Sequence, residues 1–318
     1  MARILISGAY GRAGTILTRE LADGVTDAEL VLCGRNADKL DQLAGSLPAG
    51  RVIRTCVAGL EEADELAGML TSGDIWINCA PWPDGRDDDI ADAIVSAGVV
   101  YLDIQPATDK FRAFREALAR HPDSAARIGL EAGISPGAQA LTAQALSGDL
   151  ERLEDVTLDV AMRDAAIPDA GLLDVLAHLA EPAMQWRGGR WHKSSLTELR
   201  TRQAGAGFEG MAAPAWMPEL DEFAREHQPE SLRCYYITPS PRVGLVLGLG
   251  YITGLVRYDR GRRLLLPLLR HAFAGLRPPY GFALGATVTG ELMGNQVRRR
   301  MTLHFDDLYE ATVAPVVA

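Results

Sequence analysis

Three evenly spaced glycines, Gly8, Gly11 and Gly14, stand in the run Gly8-Ala9-Tyr10-Gly11-Arg12-Ala13-Gly14. An apolar stretch, Arg3 to Ser7, precedes the run, and Ala13, Ile16, Leu17 and Leu21 follow at helical spacing. In such a strand–turn–helix the first glycine permits the tight turn and the second lets backbone approach a diphosphate. The third lets the helix pack closely on the strand. The helix start presents unpaired N–H groups to phosphate oxygens. The run therefore predicts a dinucleotide site with Gly8, Tyr10, Gly11, Arg12, Ala13 and Gly14 as binding residues, the alternative being a turn with incidental glycines. The next strand ends Leu32-Cys33-Gly34-Arg35-Asn36, with no carboxylate before Asp38. An acid there bonds ribose hydroxyls, whereas a guanidinium grips a 2′-phosphate. Arg35 and Asn36 thus favour NADP(H) over NAD(H), unless Arg35 is merely a solvated surface charge.

Ligands of such folds lie outside the carboxyl ends of the strands. The residues at those ends are Cys79-Ala80-Pro81-Trp82, Asp103 and Glu131. Asp103 and Glu131 are two carboxylates on one edge, suited to proton exchange or to holding a substrate ammonium, with Tyr101 close by in sequence. Either acid can instead be structural, as a helix cap or an arginine's partner. Cys79, Ala80 and Pro81 read as small residues packed against the cofactor. No histidine accompanies Cys79 to make it a nucleophile. The six histidines include no HExxH, and none pairs with a cysteine at ligand spacing, so no metal is expected. Trp186, Trp191 and Trp216 line a pocket or pack a sheet, and most of Arg187/Arg190, Arg200/Arg202 and Arg298/Arg299/Arg300 belong to the surface.

The elements that position these residues alternate. Strands are expected at 3–7, 29–33, 51–57, 74–79, 99–104 and 126–131. Helices follow the glycine run and are expected at 36–47 (capped by Asn36), 61–70, 88–97 and from about Asp109 to 120. Strands alternating with helices imply a parallel sheet with right-handed crossovers, a doubly wound α/β domain over residues 1–133. Beyond Gly133 the rhythm changes to α+β material, residues 134–318. A helix is expected at 135–146, a strand at 155–162, a Gly-Gly hairpin at 184–192, and two strands at 280–292 and 296–305 joined through Gly294-Asn295. Residues from about Thr197 to Pro241 give little signal. A closing helix, 306–318, is expected to dock on the first domain. The run Val243 to Val256 is too apolar for an exposed helix, which predicts burial in the core, in a dimer interface or along a lipophilic channel.

Composition narrows the partners. Of 318 residues 47% are hydrophobic and 23% charged, ordinary for a folded protein of this length. The net charge of -10, from 42 acidic and 32 basic residues, disfavours nucleic acid or an anionic membrane surface as the main partner. The Val243–Val256 run holds four glycines and falls short of the roughly 20 residues a membrane span needs. The N-terminus does not read as a signal peptide, and the four cysteines are widely spaced, which together point to the cytoplasm.

The glycine run, the Cys33-Gly34-Arg35-Asn36 ending and Asn78-Cys79-Ala80-Pro81 resemble the saccharopine dehydrogenase-like NADP-binding proteins. So do Ala97 to Asp103, the Gly133-Ile134-Ser135-Pro136-Gly137 loop and the closing Asp306 to Thr312. The resemblance implies a Rossmann domain and an α+β domain that binds a small-molecule substrate and often forms a homodimer. It implies hydride transfer between NADP(H) and a carbon–nitrogen bond, and in some relatives reduction of carbon–carbon double bonds of lipid or polyketide chains. Where the family pattern has a Gly-Pro-Phe-like turn, this sequence reads Ala80-Pro81-Trp82-Pro83. Three readings result: an imine reductase using Asp103, Tyr101 and Glu131, an enoyl reductase, and a non-catalytic NADP(H) sensor.

Overall fold

The computed structural model describes residues 2–105, 110–194 and 198–317. Asp109 and Thr197, at the expected edges of a helix and of the unread region, lie outside the described residues. The chain divides into two compact units, Met1–Ala138 with Thr312–Ala318, and Gln139–Ala311.

The first unit runs β1 (Ala2–Ser7), α1 (Arg12–Gly24), β2 (Ala28–Cys33), α2 (Ala37–Gly45), β3 (Ile53–Cys56), α3 (Ala63–Gly68), β4 (Ile75–Asn78), α4 (Asp87–Ala97), β5 (Val100–Asp103), α5 (Lys110–Arg120) and β6 (Arg127–Gly129). All neighbouring strands pair in parallel, in the order β3-β2-β1-β4-β5-β6, so the fold is α/β and doubly wound. Because alternate residues of a strand point to opposite faces, β1 feeds two cores. Leu5, with Val31, Trp76 and Tyr101, packs against Leu66, Ile94 and Phe114. Ile4 and Ile6, with Leu30, Leu32 and Ile77, pack against Leu17, Leu21 and Leu40, and Val313 from the chain's end joins them. Burial on both faces explains why these strands read as unbroken apolar runs.

Two elements are shorter than their periodicity predicts. The expected helix at 61–70 is a 3-10 turn, Leu60–Glu62, followed by the short α3. Asp74 accounts for the early stop, since its carboxylate takes the N–H and hydroxyl of Thr71 (2.8 and 2.9 Å) just beyond α3. The expected strand at 126–131 pairs only through 127–129, because the backbone turns at Glu131, whose φ is 55°.

The second unit contains α6 (Ala138–Ser147, beginning at the boundary), β7 (Arg152–Arg163), α7 (Asp169–His178), β8 (Met184–Arg187), β9 (Arg190–Lys193), β10 (Arg200–Gly205), β11 (Phe208–Ala215), α8 (Leu220–His227), β12 (Ser231–Ile237), α9 (Pro241–Ile252), α10 (Asp259–Ala274), β13 (Gly281–Leu292), β14 (Asn295–Phe305) and α11 (Leu308–Val317), which ends in the first unit. Its mixed sheet runs β10-β11-β12-β7-β13-β14, with the β8–β9 hairpin attached to β12. The β13–β14 turn falls at Met293-Gly294, both with positive φ (50° and 73°), one residue earlier than expected, and Asn295 opens β14. Of the expectations for the run 243–256, burial in the core holds only in part. The run is largely the helix α9, and only part of it is buried: Val243 and Gly250 face inward, while Leu245, Leu249 and Ile252 are exposed.

Asp74 also ties the start of β1 to the start of β4, accepting the Arg3 N–H at 2.8 Å. Burial alone raises a carboxyl's pKa, but the bonds from Arg3 and Thr71 outweigh it and hold Asp74 below its ordinary 3.8. A lowered folded-state value adds stability that is complete above the unfolded value and is lost as the pH falls through the lowered one. Asp74→Asn is therefore expected to cost about 1–2 kcal/mol at neutral pH and to flatten the acid limb of urea-unfolding midpoints. An unchanged limb would remove this account of the β1–β4 junction.

Candidate functional site

The glycine run sits where β1 meets α1, and the geometry requires glycine at two of its positions. Gly8 has φ 75°, and a Cβ there would lie 3.0 Å from the Ala80 nitrogen. A Cβ on Gly14 would lie 2.2 Å from the Gly8 carbonyl oxygen, inside any tolerable contact. Gly11 is the N-cap of α1 and offers no side-chain cap, so the helix start keeps donors for an anion. The turn is held from the neighbouring strand: the N–H groups of Gly8 and Ala9 both donate to the Cys33 carbonyl, at 3.0 and 3.1 Å. Arg12 and Ala13 form the first residues of α1. This cradle fits a diphosphate by shape and by its oriented donors.

Beyond β2 the chain builds a basic corner around Tyr10. The Arg35 N–H donates to the Tyr10 hydroxyl (3.1 Å), and the ring lies so close to Gly34 that a Cβ there would sit 2.4 Å from it. The Lys39 ammonium lies over the same ring, 5.5 Å from its centroid. Asn36 caps α2, accepting the Lys39 N–H at 3.0 Å. The Arg35 guanidinium is mostly exposed and stands 3.9 Å from Glu61 across a solvated gap, a weak pair. Lys39 was not singled out in the sequence, because its approach to Tyr10 needs the turn geometry.

The second cluster lies at the carboxyl ends of β4 and β5 and centres on Asp103, which has no exposed surface. One carboxylate oxygen takes the Tyr101 hydroxyl (2.9 Å), the Lys110 ammonium (2.9 Å) and the Asn78 amide (3.2 Å), and the other takes the Gln105 N–H (2.8 Å). Asn78 extends the network inward. It accepts from the Ser7 hydroxyl (2.8 Å), which accepts from the Trp76 indole (3.0 Å). Outward, the Trp82 indole donates to the Tyr101 hydroxyl (3.1 Å), and the Lys110 ammonium lies 5.1 Å from the centre of the Trp82 ring. Asn78 also clamps the loop that follows it, exchanging bonds with the Ala80 backbone (3.1 and 2.8 Å). Of the residues expected here, Asp103 and Tyr101 come together with Trp82. Glu131 lies beyond β6, buried, next to Ala132, whose N–H bonds the Asp103 carbonyl (2.8 Å).

Lys110 is the residue of this cluster least visible in the sequence. It stands seven residues after Asp103, at the start of α5, and neither period nor motif marks it. Burial pushes the Tyr101 phenol well above its ordinary 10, and the adjacent Asp103 charge adds to that, so the hydroxyl stays a donor. Burial and the same charge push the Cys79 thiol up, which keeps it neutral. Among the described residues no His, Cys, Asp and Glu group could hold a metal ion, and no helix is long and apolar enough to cross a membrane.

Residues 4–135 match the sequence model of the family described as Saccharopine dehydrogenase NADP binding domain. No curated protein matches the chain in sequence. Among solved structures, apo saccharopine dehydrogenase (L-Glu forming) from Saccharomyces cerevisiae superposes with a TM-score of 0.70 at 12% identity, covering 100% of this chain and 90% of that one. A C. glutamicum DAP dehydrogenase in complex with DAP gives 0.49 at 12% identity over 98% and 85% of the two chains. The first likeness shows a shared fold.

Below pH 10 the Tyr101 phenol is protonated folded or unfolded. Above it the unfolded chain loses the proton first, and stability falls toward the raised folded value. Tyr101→Phe is expected to cost about 1 kcal/mol near neutrality and to shift the alkaline fall in thermal midpoint to higher pH. An alkaline limb unchanged by the substitution would mean that the Tyr101 hydroxyl is not held as described.

Proposed function

We propose that this chain, an NADP-dependent oxidoreductase whose residues 4–135 form a saccharopine dehydrogenase-type NADP-binding domain, moves a hydride to or from a carbon–nitrogen bond of a small, amino-acid-like metabolite in the cytoplasm. The observation that carries this reading is the Lys110–Asp103–Tyr101–Trp82 network at the ligand-binding edge of the sheet. A buried ion pair with a phenol and an amide on the same carboxylate makes that edge polar and rigid, which suits a charged substrate better than an acyl chain.

The residues divide the work. Gly8, Gly11 and Gly14 with the start of α1 hold the diphosphate, flanked by Tyr10, Arg12 and Ala13. Arg35 takes the 2′-phosphate in place of Glu61, and Lys39 stands within reach over Tyr10. Asn36 holds the start of α2 beside Arg35. Cys79 and Ala80 pass beside Gly8 and, with Pro81, form the wall that NADP(H) meets next. When bound, NADPH supplies the hydride. The chain's part is to orient the acceptor carbon and keep a proton near its nitrogen, because a protonated imine accepts hydride more readily. Full burial gives Asp103 and Tyr101 the role of positioning residues. They set the orientation of Lys110 and the Trp82 loop, and Glu131 is the second carboxylate of the same edge.

The direct test follows NADPH oxidation with cyclic imines and with amine plus 2-oxo acid pairs, alongside enoyl thioesters. Turnover of the nitrogen compounds is expected. Turnover of enoyl thioesters alone overturns the substrate class, and tight NADPH binding without any turnover points to a sensor. In a fluorescence titration Arg35→Ala is expected to weaken NADPH binding on the order of tenfold or more while leaving NADH binding within about twofold. Equal loss for both nucleotides would sink the 2′-phosphate assignment. Tyr101→Phe is expected to lower kcat about tenfold with the KM for NADPH unchanged, and an unaltered kcat would leave Tyr101 a packing residue.

A further inference from the structure

The charge of one helical pair runs against that of the whole chain. The protein carries a net charge of -10, yet from Pro241 to Tyr280 it has seven arginines and one acidic residue, Asp259. Two of these arginines are paired within the unit, Arg262 with Asp259 and Arg270 with Asp169. Arg242, Arg257, Arg260, Arg263 and Arg277 are exposed and make no ion pair among the described residues.

The same segment exposes apolar side chains of a size that folding normally hides. α9 has no charged residue after Arg242. Its inner side packs closely: a Cβ on Gly250 would lie 2.7 Å from Leu265 of α10. Its outer side presents Leu245, Leu249 and Ile252, exposed by 74, 48 and 80%. α10 adds Leu264 and Leu268, exposed by 66 and 52%, and Tyr258 before it is exposed by 68%. A helix apolar on every side is stable in water only when something covers it. A shallow pocket lined by Arg257, Tyr258, Asp259, Arg260 and Arg262 opens on the segment joining the two helices.

We infer that this face docks on the surface of an anionic phospholipid bilayer. The leucines and Ile252 enter the boundary of the acyl chains, while the unpaired arginines extend to headgroup phosphates along their flexible stems. With 12 residues α9 is too short to span the membrane, so it lies along the surface. A second copy is the competing occupant, and charge decides against it. A two-fold contact through this face would bring together two patches of the same net positive charge, and the one acid of the segment, Asp259, is already paired. The inference is independent of the substrate proposed above.

The test is flotation of the purified 318-residue chain with phosphatidylcholine vesicles, with and without phosphatidylglycerol, and sedimentation of the protein alone. Binding is expected to be at least about tenfold stronger to the phosphatidylglycerol vesicles and to fall as salt is added. Arg257→Glu with Arg260→Glu and Arg263→Glu, and separately Leu245→Ser with Ile252→Ser, are expected to abolish binding with NADPH affinity unchanged, which shows that both variants fold. Absence of binding, or equal binding to neutral vesicles, overturns the inference. So does a dimer that Leu245→Ser with Ile252→Ser splits while vesicles leave the native chain in solution.

Discussion

The Asp103 carboxylate, with no exposed surface, imposes its needs on everything at the ligand edge of the first unit. A buried charge that loses its counter-charge costs about 3–5 kcal/mol, so its surroundings must be arranged to supply donors. Lys110 brings the opposite charge, and Tyr101, Asn78 and the Gln105 N–H complete the shell. Each donor is itself anchored elsewhere. Tyr101 is locked among Trp76, Trp82 and Phe114, and Asn78 is held by Ser7 and by the loop it clamps. Through Asn78 the same carboxylate reaches the glycine cradle, because Ala80 approaches Gly8 to the limit that a glycine permits. The loop beside the glycine run and the polar edge next to it are thus one bonded structure.

The second unit satisfies its interior differently. Its one strongly buried acid on the central strand β7, Asp159, is met by a fork-to-fork Arg202, whose guanidinium also lies 4.9 Å from the centre of the Tyr235 ring. Around it the mixed sheet is closed by ordinary apolar packing, with Val156, Leu158 and Val160 buried. Its helical pair is the exception, since α9 and α10 expose on their outer side residues that elsewhere form the core. An apolar helix that is left uncovered marks an interaction rather than a folding error, and the arginines beside it give that interaction a sign.

Much of this is legible in the amino-acid sequence. The glycine run, the apolar strands of the parallel sheet and the Asn36 cap all follow from local rules, each confined to a few consecutive residues or one period. Asp103, Tyr101 and Trp82 stood out because strand ends are where ligands bind. What escaped was what chain distance separates. Lys110 reaches Asp103 only because α5 begins where it does, and Lys39 reaches Tyr10 only once Gly34 lets the ring lie flat. Between 200 and 241 two strands, a helix and a third strand gave little signal, because their burial is set by distant partners.

The apolar run at 243–256 shows the division most clearly. Its composition alone determined that it is no ordinary solvated helix. Whether it ended inside the core or on the surface was decided by packing: Val243 and Gly250 satisfy the neighbouring α10, and no element of the unit remains to cover Leu245 and Ile252. The sequence by itself determined the doubly wound first domain and its nucleotide cradle, since turn chemistry and strand burial are short-range properties. Only the tertiary structure decided that Asp103 is a saturated, buried charge instead of an open acid. Desolvation and pairing depend on which side chains the fold brings within three ångströms of each other, and no local pattern records that.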